Sequence, residues 1–154
     1  MTVFAAKTEL AKNTEVVLNE EVPSLQRQTD GAGAFDLHAC IPEAVQITEH
    51  EPVAIPTGYA FEIPEGKLGL ISIRSGHGCK KGVYIANAVP FIDSDYRGEV
   101  WIYLQARPGR GEYVISPLER FCQIAFVSVE TQLMEVETLS QTKRGQKGFG
   151  STGA

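Results

Sequence analysis

The chain has 154 residues, with 19 acidic and 14 basic side chains, a formal net charge of −5 and 43% hydrophobic residues. That length suits one domain with one core, and the apolar content excludes a chain that is mainly disordered. The acidic balance excludes a general affinity for nucleic acid duplexes, which needs a basic surface, and no apolar run approaches the ~20 residues of a membrane span.

Residues 1–10 lack a basic segment followed by an apolar stretch, so no secretory signal is expected. Runs with apolar residues at i, i+3, i+4 and i+7 are absent. Short β-branched and aromatic runs recur instead, punctuated by Gly, Pro, Asn and Asp. They predict strands at 15–18, 35–40, 44–48, 52–55, 58–63, 68–73, 83–86, 99–104, 112–115, 121–129 and 134–136. Alternation with period two is clearest at 100–104, where Trp101 and Tyr103 oppose Ile102 and Leu104. Many short strands without a helix predict an all-β sandwich or barrel, spanning 1–141 as one β domain. Three widely spaced cysteines, Cys40, Cys79 and Cys122, predict free thiols in a reducing, cytoplasmic setting.

The end of the chain differs. Residues 144–154 read RGQKGFGSTGA, a glycine-rich stretch that loses much backbone entropy on ordering and buries little. A mobile tail over 142–154 is expected. It nevertheless carries Lys143, Arg144, Lys147, the Phe149 ring and the Ser151 and Thr152 hydroxyls, an unusual load for a frayed end.

The common phosphate signatures are missing. Gly145 and Gly150 have P-loop spacing, but Ser151 stands where lysine is needed, and Gly76-His77-Gly78 lacks the third glycine of a dinucleotide fingerprint. His38-x-Cys40 and His77-x-Cys79 do not have the spacing of a known zinc pattern. Two other segments carry more chemistry. Arg74-Ser75-Gly76 follows a predicted strand and combines a planar guanidinium fork, a hydroxyl and a glycine-rich turn, all suited to phosphate oxygens. Asn87 and Pro90 mark a hairpin turn; Asp93 then follows Phe91-Ile92 at the mouth of a strand, where a carboxylate could activate a water, with the Tyr96 ring three residues on.

Together these segments resemble the trimeric dUTP pyrophosphatases (dUTPases). Gly33-Ala34-Phe35-Asp36-Leu37 is similar to motif one of that family and Arg74-Ser75-Gly76 to motif two. Asn87 with Ile92-Asp93-Ser94-Asp95-Tyr96-Arg97-Gly98 is similar to motif three, and Glu119-Arg120-Phe121-Cys122-Gln123-Ile124 to motif four. Arg144-Gly145 with Gly148-Phe149-Gly150-Ser151-Thr152-Gly153 is similar to motif five. All five stand in the family's order.

The resemblance implies a β jelly roll, assembled as a homotrimer with active sites between subunits and the C-terminal tail closing them. It implies splitting of dUTP into dUMP and pyrophosphate, which keeps uracil out of DNA and supplies dUMP for dTMP synthesis. By the same resemblance Asp93 activates the water that attacks the α-phosphorus. Tyr96 packs on deoxyribose and excludes a 2′-hydroxyl. Asn87 and the hairpin through Phe91 and Ile92 hydrogen-bond uracil, with Trp101 near the base. Arg74, Ser75, Gly76 and Gln123 grip phosphate. Phe149 stacks over uracil with Gly150 beside it, and Arg144, Ser151 and Thr152 reach the γ-phosphate. Mg²⁺ is expected on phosphates and water rather than on a protein ligand set, with Asp36 near its water network. No nucleic acid or membrane partner is implied.

Ile73, His77 and Pro90 depart from the family pattern, as do Cys79 and Lys81. Two rivals remain at this stage: a dCTP deaminase-like enzyme of the same superfamily, and a nucleotide-sensing regulatory or protein-binding module.

Overall fold

The structure, a computed structural model, describes residues 2–129, 133–143 and 145. Strand β1 (Phe4–Lys7) leads into helix α1 (Glu9–Leu18). Strands β2 (Phe35–His38), β3 (Val45–Ile47), β4 (Val53–Pro56), β5 (Tyr59–Glu62) and β6 (Lys67–Ile73) follow. A π-helical turn (Gly76–Lys81) precedes β7 (Val83–Ile85), β8 (Phe91–Ile92), β9 (Trp101–Ala106), β10 (Tyr113–Ile115) and β11 (Arg120–Ser128). The strands form a four-stranded sheet, β2-β11-β6-β8, a three-stranded sheet, β4-β9-β7, and two pairs, β1-β5 and β10-β3. Every pairing among the described residues is antiparallel.

The alternation predicted at 100–104 is present. Ile102, Leu104 and Ala106 of β9 point into the core, whereas Trp101 and Tyr103 face out. Leu37, Ile55, Ile71, Phe121 and Ile124 meet them from the other strands and are fully buried. Each such side chain contributes roughly 1.5–3 kcal/mol of transfer free energy. Strand β11 is central: it pairs with β6 over its whole second half and with β2 over its first. Its register against β2 shifts between Arg120 and Cys122, a local break in the ladder of the kind a bulge makes.

Three expectations need correction. The strand expected at 15–18 is the last turn of α1. Thr8 caps that helix by accepting from the Ala11 N–H, and Asn19 ends it in the left-handed region at φ 51°. Only Ala11 and Thr14 of the helix are buried, while Val16 and Val17 face outward, so the usual apolar stripe is inverted. Strand β1 carried no signal because three of its four residues are exposed. Residues 134–136 form no strand.

Cys40, Cys79 and Cys122 are all free, and burial raises the thiol pKa of both Cys40 and Cys122. Among the described residues no helix is long and apolar enough to cross a membrane.

Candidate active site

One cluster of expected residues forms where β2, β6 and β11 lie side by side. The β6–β11 ladder continues one rung past β6, because the Arg74 N–H donates to the Phe121 carbonyl at 3.0 Å. Arg74 is thereby held beside Asp36 of β2. The Asp36 carboxylate is buried, and a buried charge needs partners. Arg74 Nε lies 3.3 Å from one of its oxygens and Arg120 Nη1 lies 3.3 Å from the other. Arg74 Nη1 also donates to the Arg120 carbonyl at 3.2 Å. Gln123 stands across from Asp36 on one side and Ser72 on the other, and its Nε2 donates to Ser72 Oγ at 3.1 Å. Gly76 opens the π-helical turn with open space where a Cβ would lie, so a ligand can approach its backbone. Asp36, Arg74, Ser75 and Gln123 line a cavity of about 860 Å³ together with Gln28 and Arg107. Two guanidinium groups on one carboxylate leave net positive charge, which suits a phosphate chain.

The second cluster grows from the connection between β7 and β8, which is not the hairpin expected at Asn87 and Pro90, because β7 pairs with β9 and β8 with β6 in different sheets. The Ala86 N–H donates to Tyr103 and the Ala88 N–H to Ile85, at 2.8 and 3.0 Å. Ala88 turns the chain at φ 64°. The Ile71 N–H donates to the Pro90 carbonyl at 3.2 Å. The connection is thus tied to β6 through a carbonyl that proline retains, and the missing Pro90 N–H does not break that tie. Gly69 of β6 stands opposite Ile92, and a Cβ there would lie 3.1–3.2 Å from Ile124 and Ile92. Its absence lets β8 lie close.

Asp93 leaves β8 exposed, and its carbonyl accepts from the Tyr96 N–H at 3.2 Å, closing a turn. The Tyr96 hydroxyl donates to the Glu99 carbonyl at 3.0 Å. Glu99 is itself fixed, its carboxylate accepting from the Gly58 N–H at 3.0 Å and from the Thr8 hydroxyl at 2.8 Å. Asn87, Phe91, Ile92, Asp93, Tyr96 and Trp101, all expected from the sequence, line one cavity of about 440 Å³. Phe91 is 65% and Trp101 47% exposed, large apolar faces of the kind that mark binding sites.

The two cavities share no lining residue. One chain therefore carries Asp93 and the aromatic candidates in one cavity and Arg74, Ser75 and Gln123 in another. Arg144, Phe149, Gly150, Ser151 and Thr152 lie outside the described residues. Arg120, Gln28, Arg107 and Glu99 were not picked as site residues. Arg120 had a signal, since it stands in the motif-four segment; the others are placed only by the fold.

Among the described residues, no three His, Cys, Asp or Glu side chains converge as a metal-binding set.

Comparison with known proteins bears on the family and the fold. The dUTPase family model matches residues 20–153, so β1 and α1 lie ahead of the match. A deoxyuridine 5'-triphosphate nucleotidohydrolase of Acinetobacter baylyi is 41% identical over 138 residues, covering 88% of this chain and 91% of the relative. The protein of that name from Legionella pneumophila (strain Paris) is 36% identical over 138 residues, covering 88% and 90%. The structure of Staphylococcus bacteriophage 80alpha dUTPase with dUpNHpp superposes with a TM-score of 0.80 at 25% identity, over 99% of both chains.

Proposed function

The chain belongs to the dUTPase family, and on that premise we propose that it converts dUTP and water to dUMP and pyrophosphate with Asp93 as the base. The Asp93 carboxylate takes a proton from water as the water oxygen bonds to the α-phosphorus. The bond from the α-phosphorus to the bridging oxygen of the β-phosphate breaks, and pyrophosphate leaves with that electron pair. Asn87 and the Phe91–Ile92 backbone hold uracil, Trp101 lies beside the base, and Tyr96 covers the sugar. Arg74, Ser75, Gly76 and Gln123 grip the phosphates, and their positive charge offsets what accumulates as pyrophosphate departs.

The observation that carries this reading is the division of the expected residues between two cavities that share no lining residue. A dUTP molecule needs both halves at once. A second copy of the chain, presenting its grip to the first copy's uridine cavity, supplies them, and a closed homotrimer repeats that contact three times. Arg144, Phe149, Gly150, Ser151 and Thr152 complete the site as a closing tail that excludes water. Residues 1–141 then act as the domain and 142–154 as the tail.

The family requires a divalent metal. We assign Mg²⁺, which when bound to the phosphates neutralises part of their charge. Asp36 lines the grip cavity and keeps acceptor capacity beyond its two arginine contacts, so it is the side chain assigned to that water shell. In the cell, the reaction would keep uracil out of DNA and supply dUMP for dTMP synthesis. The free thiols favour a reducing, cytoplasmic setting.

Pyrophosphate release from dUTP, dTTP, UTP and dCTP, measured in parallel with and without Mg²⁺, tests the reading. Release from dUTP alone is expected, dependent on Mg²⁺. Ammonia release from dCTP would replace this assignment with a deaminase, and nucleotide binding without turnover would replace it with a sensing module.

A further inference from the structure

We propose that Glu119, His77, Lys81 and Tyr113 form a brace that positions the phosphate grip at 74–76, and that they are positioning residues for the reaction assigned above. The inference rests on that reading for the identity of the ligand.

The grip ends in a π-helical turn, a wide turn that is rare and concentrated at functional sites. It opens directly on Arg74, whose carbonyl accepts from the N–H groups of both His77 and Gly78 at 2.9 and 3.0 Å. The Gly82 N–H closes it on the His77 carbonyl. The backbone that faces phosphate therefore moves with the turn.

One carboxylate from the turn between β10 and β11 holds the π-helical turn at both ends. Glu119 Oε1 accepts from His77 Nε2 at 2.8 Å, near the start, and from Lys81 Nζ at 2.9 Å, at the last residue. The Tyr113 hydroxyl donates to the same oxygen. The second oxygen takes the Ser116 N–H at 3.0 Å. The His77 and Tyr113 rings meet edge to face at 5.6 Å, and Lys81 Nζ lies 4.2 Å over the Tyr113 ring. Only a donor can face a carboxylate oxygen, so neutral His77 presents its Nε2–H there.

Brace and grip are covalent neighbours. Glu119 precedes Arg120, which shares the Asp36 carboxylate with Arg74. Both groups line one cavity of about 500 Å³, which takes Arg74, Ser75 and Gly76 from the grip and His77, Lys81 and Glu119 from the brace. Four donors on Glu119 also offset a negative charge that would otherwise repel phosphate at close range.

His77→Leu removes the ring donor while keeping an apolar side chain in a buried position, and Tyr113→Phe removes one hydroxyl. In the full-length protein each variant is expected to raise the KM for dUTP about tenfold, with kcat within about twofold of wild type. Competition by inorganic triphosphate should weaken by the same factor, while competition by deoxyuridine stays unchanged. His77→Gln, which restores a donor towards Glu119, should recover most of the loss. Unchanged KM and triphosphate affinity in both variants would overturn the proposal. Equal loss of triphosphate and deoxyuridine affinity with a lowered Tm would also overturn it, by showing a merely structural role. If the wild type binds triphosphate but does not turn over dUTP, and the variants lose that binding, the brace stands and the assigned substrate falls.

Discussion

Tyr96 rests where the side chain of Gly98 would be. A Cβ built on Gly98 would stand 2.4 Å from the Tyr96 hydroxyl oxygen and 2.6 Å from the adjoining ring carbon, well inside contact distance. The ring keeps its place through its bond to the Glu99 carbonyl, and Glu99 is anchored by Gly58 and Thr8. The Tyr96 ring is thus set by an absent methyl group and by a carboxylate tied to the cap of α1.

Gly98→Ala is therefore expected to displace Tyr96 without unfolding the protein, because Gly98 is exposed. Activity on dUTP should fall by about tenfold in kcat/KM, and the preference for dUTP over UTP should shrink by a similar factor. Steady-state kinetics on both nucleotides check this.

Asp93→Asn keeps the shape of the exposed side chain and removes its basicity. Turnover should fall about 10²- to 10⁴-fold, the usual contribution of a positioned base. Calorimetric titration with dUpNHpp should show affinity close to wild type. Near-normal turnover would remove Asp93 from the role assigned to it.

Mixing inactive chains probes the composite site. Arg74→Ala and Asp93→Asn should each be inactive alone. If a site draws Asp93 from one copy and Arg74 from another, denaturing and refolding an equal mixture should restore about a quarter of wild-type activity, the share of sites that pair two intact halves. No recovery in the mixture would place both halves in one chain.

Gly58 sits at φ 73°, and a Cβ there would meet Cys40 Sγ at 2.9 Å and Ala11 Cβ at 3.1 Å. Gly58→Ala should cost about 2–4 kcal/mol, combining left-handed strain with overpacking against α1. Urea unfolding monitored by the Trp101 fluorescence gives the value.

Acid should destabilise the brace in two stages. Burial pushes the His77 pKa below its ordinary 6.5 despite the Glu119 bond, so the unfolded chain takes up that proton first. Stability is then lost as pH falls below about 6.5. Partial burial works to raise the Glu119 pKa, but bonds from Tyr113, the Ser116 N–H, Lys81 and His77 outweigh it and hold the carboxyl at about 2 against an ordinary 4.5. Its contribution is complete above about pH 4.5 and disappears as pH falls towards 2. Urea midpoints measured from pH 8 to 3 should decline in that order. His77→Leu should flatten the first stage and Glu119→Gln the second.

Much of this was legible along the chain. The period-two pattern of β9 survives folding because one face of its sheet meets the core and the other does not. The candidate site residues stood out through the five segments that resemble the dUTPase motifs, and the family was legible from them. Helix α1 was not read from the sequence: its buried residues are Ala11 and Thr14, while Val16 and Val17 point outward, so its bulky apolar residues do not mark its buried face. The short β1 was hidden for a related reason, since pairing with β5 supports it while little of it is buried.

The sequence by itself determined the family and which residues are candidates for the site, because their side-chain types stand in recognisable local segments. The tertiary structure alone decided where they meet. It divided them between two cavities and brought Glu119 to His77 across 42 positions. The reason is physical: strand pairing and bulges join residues far apart in the chain, and no spacing rule along the sequence records those contacts.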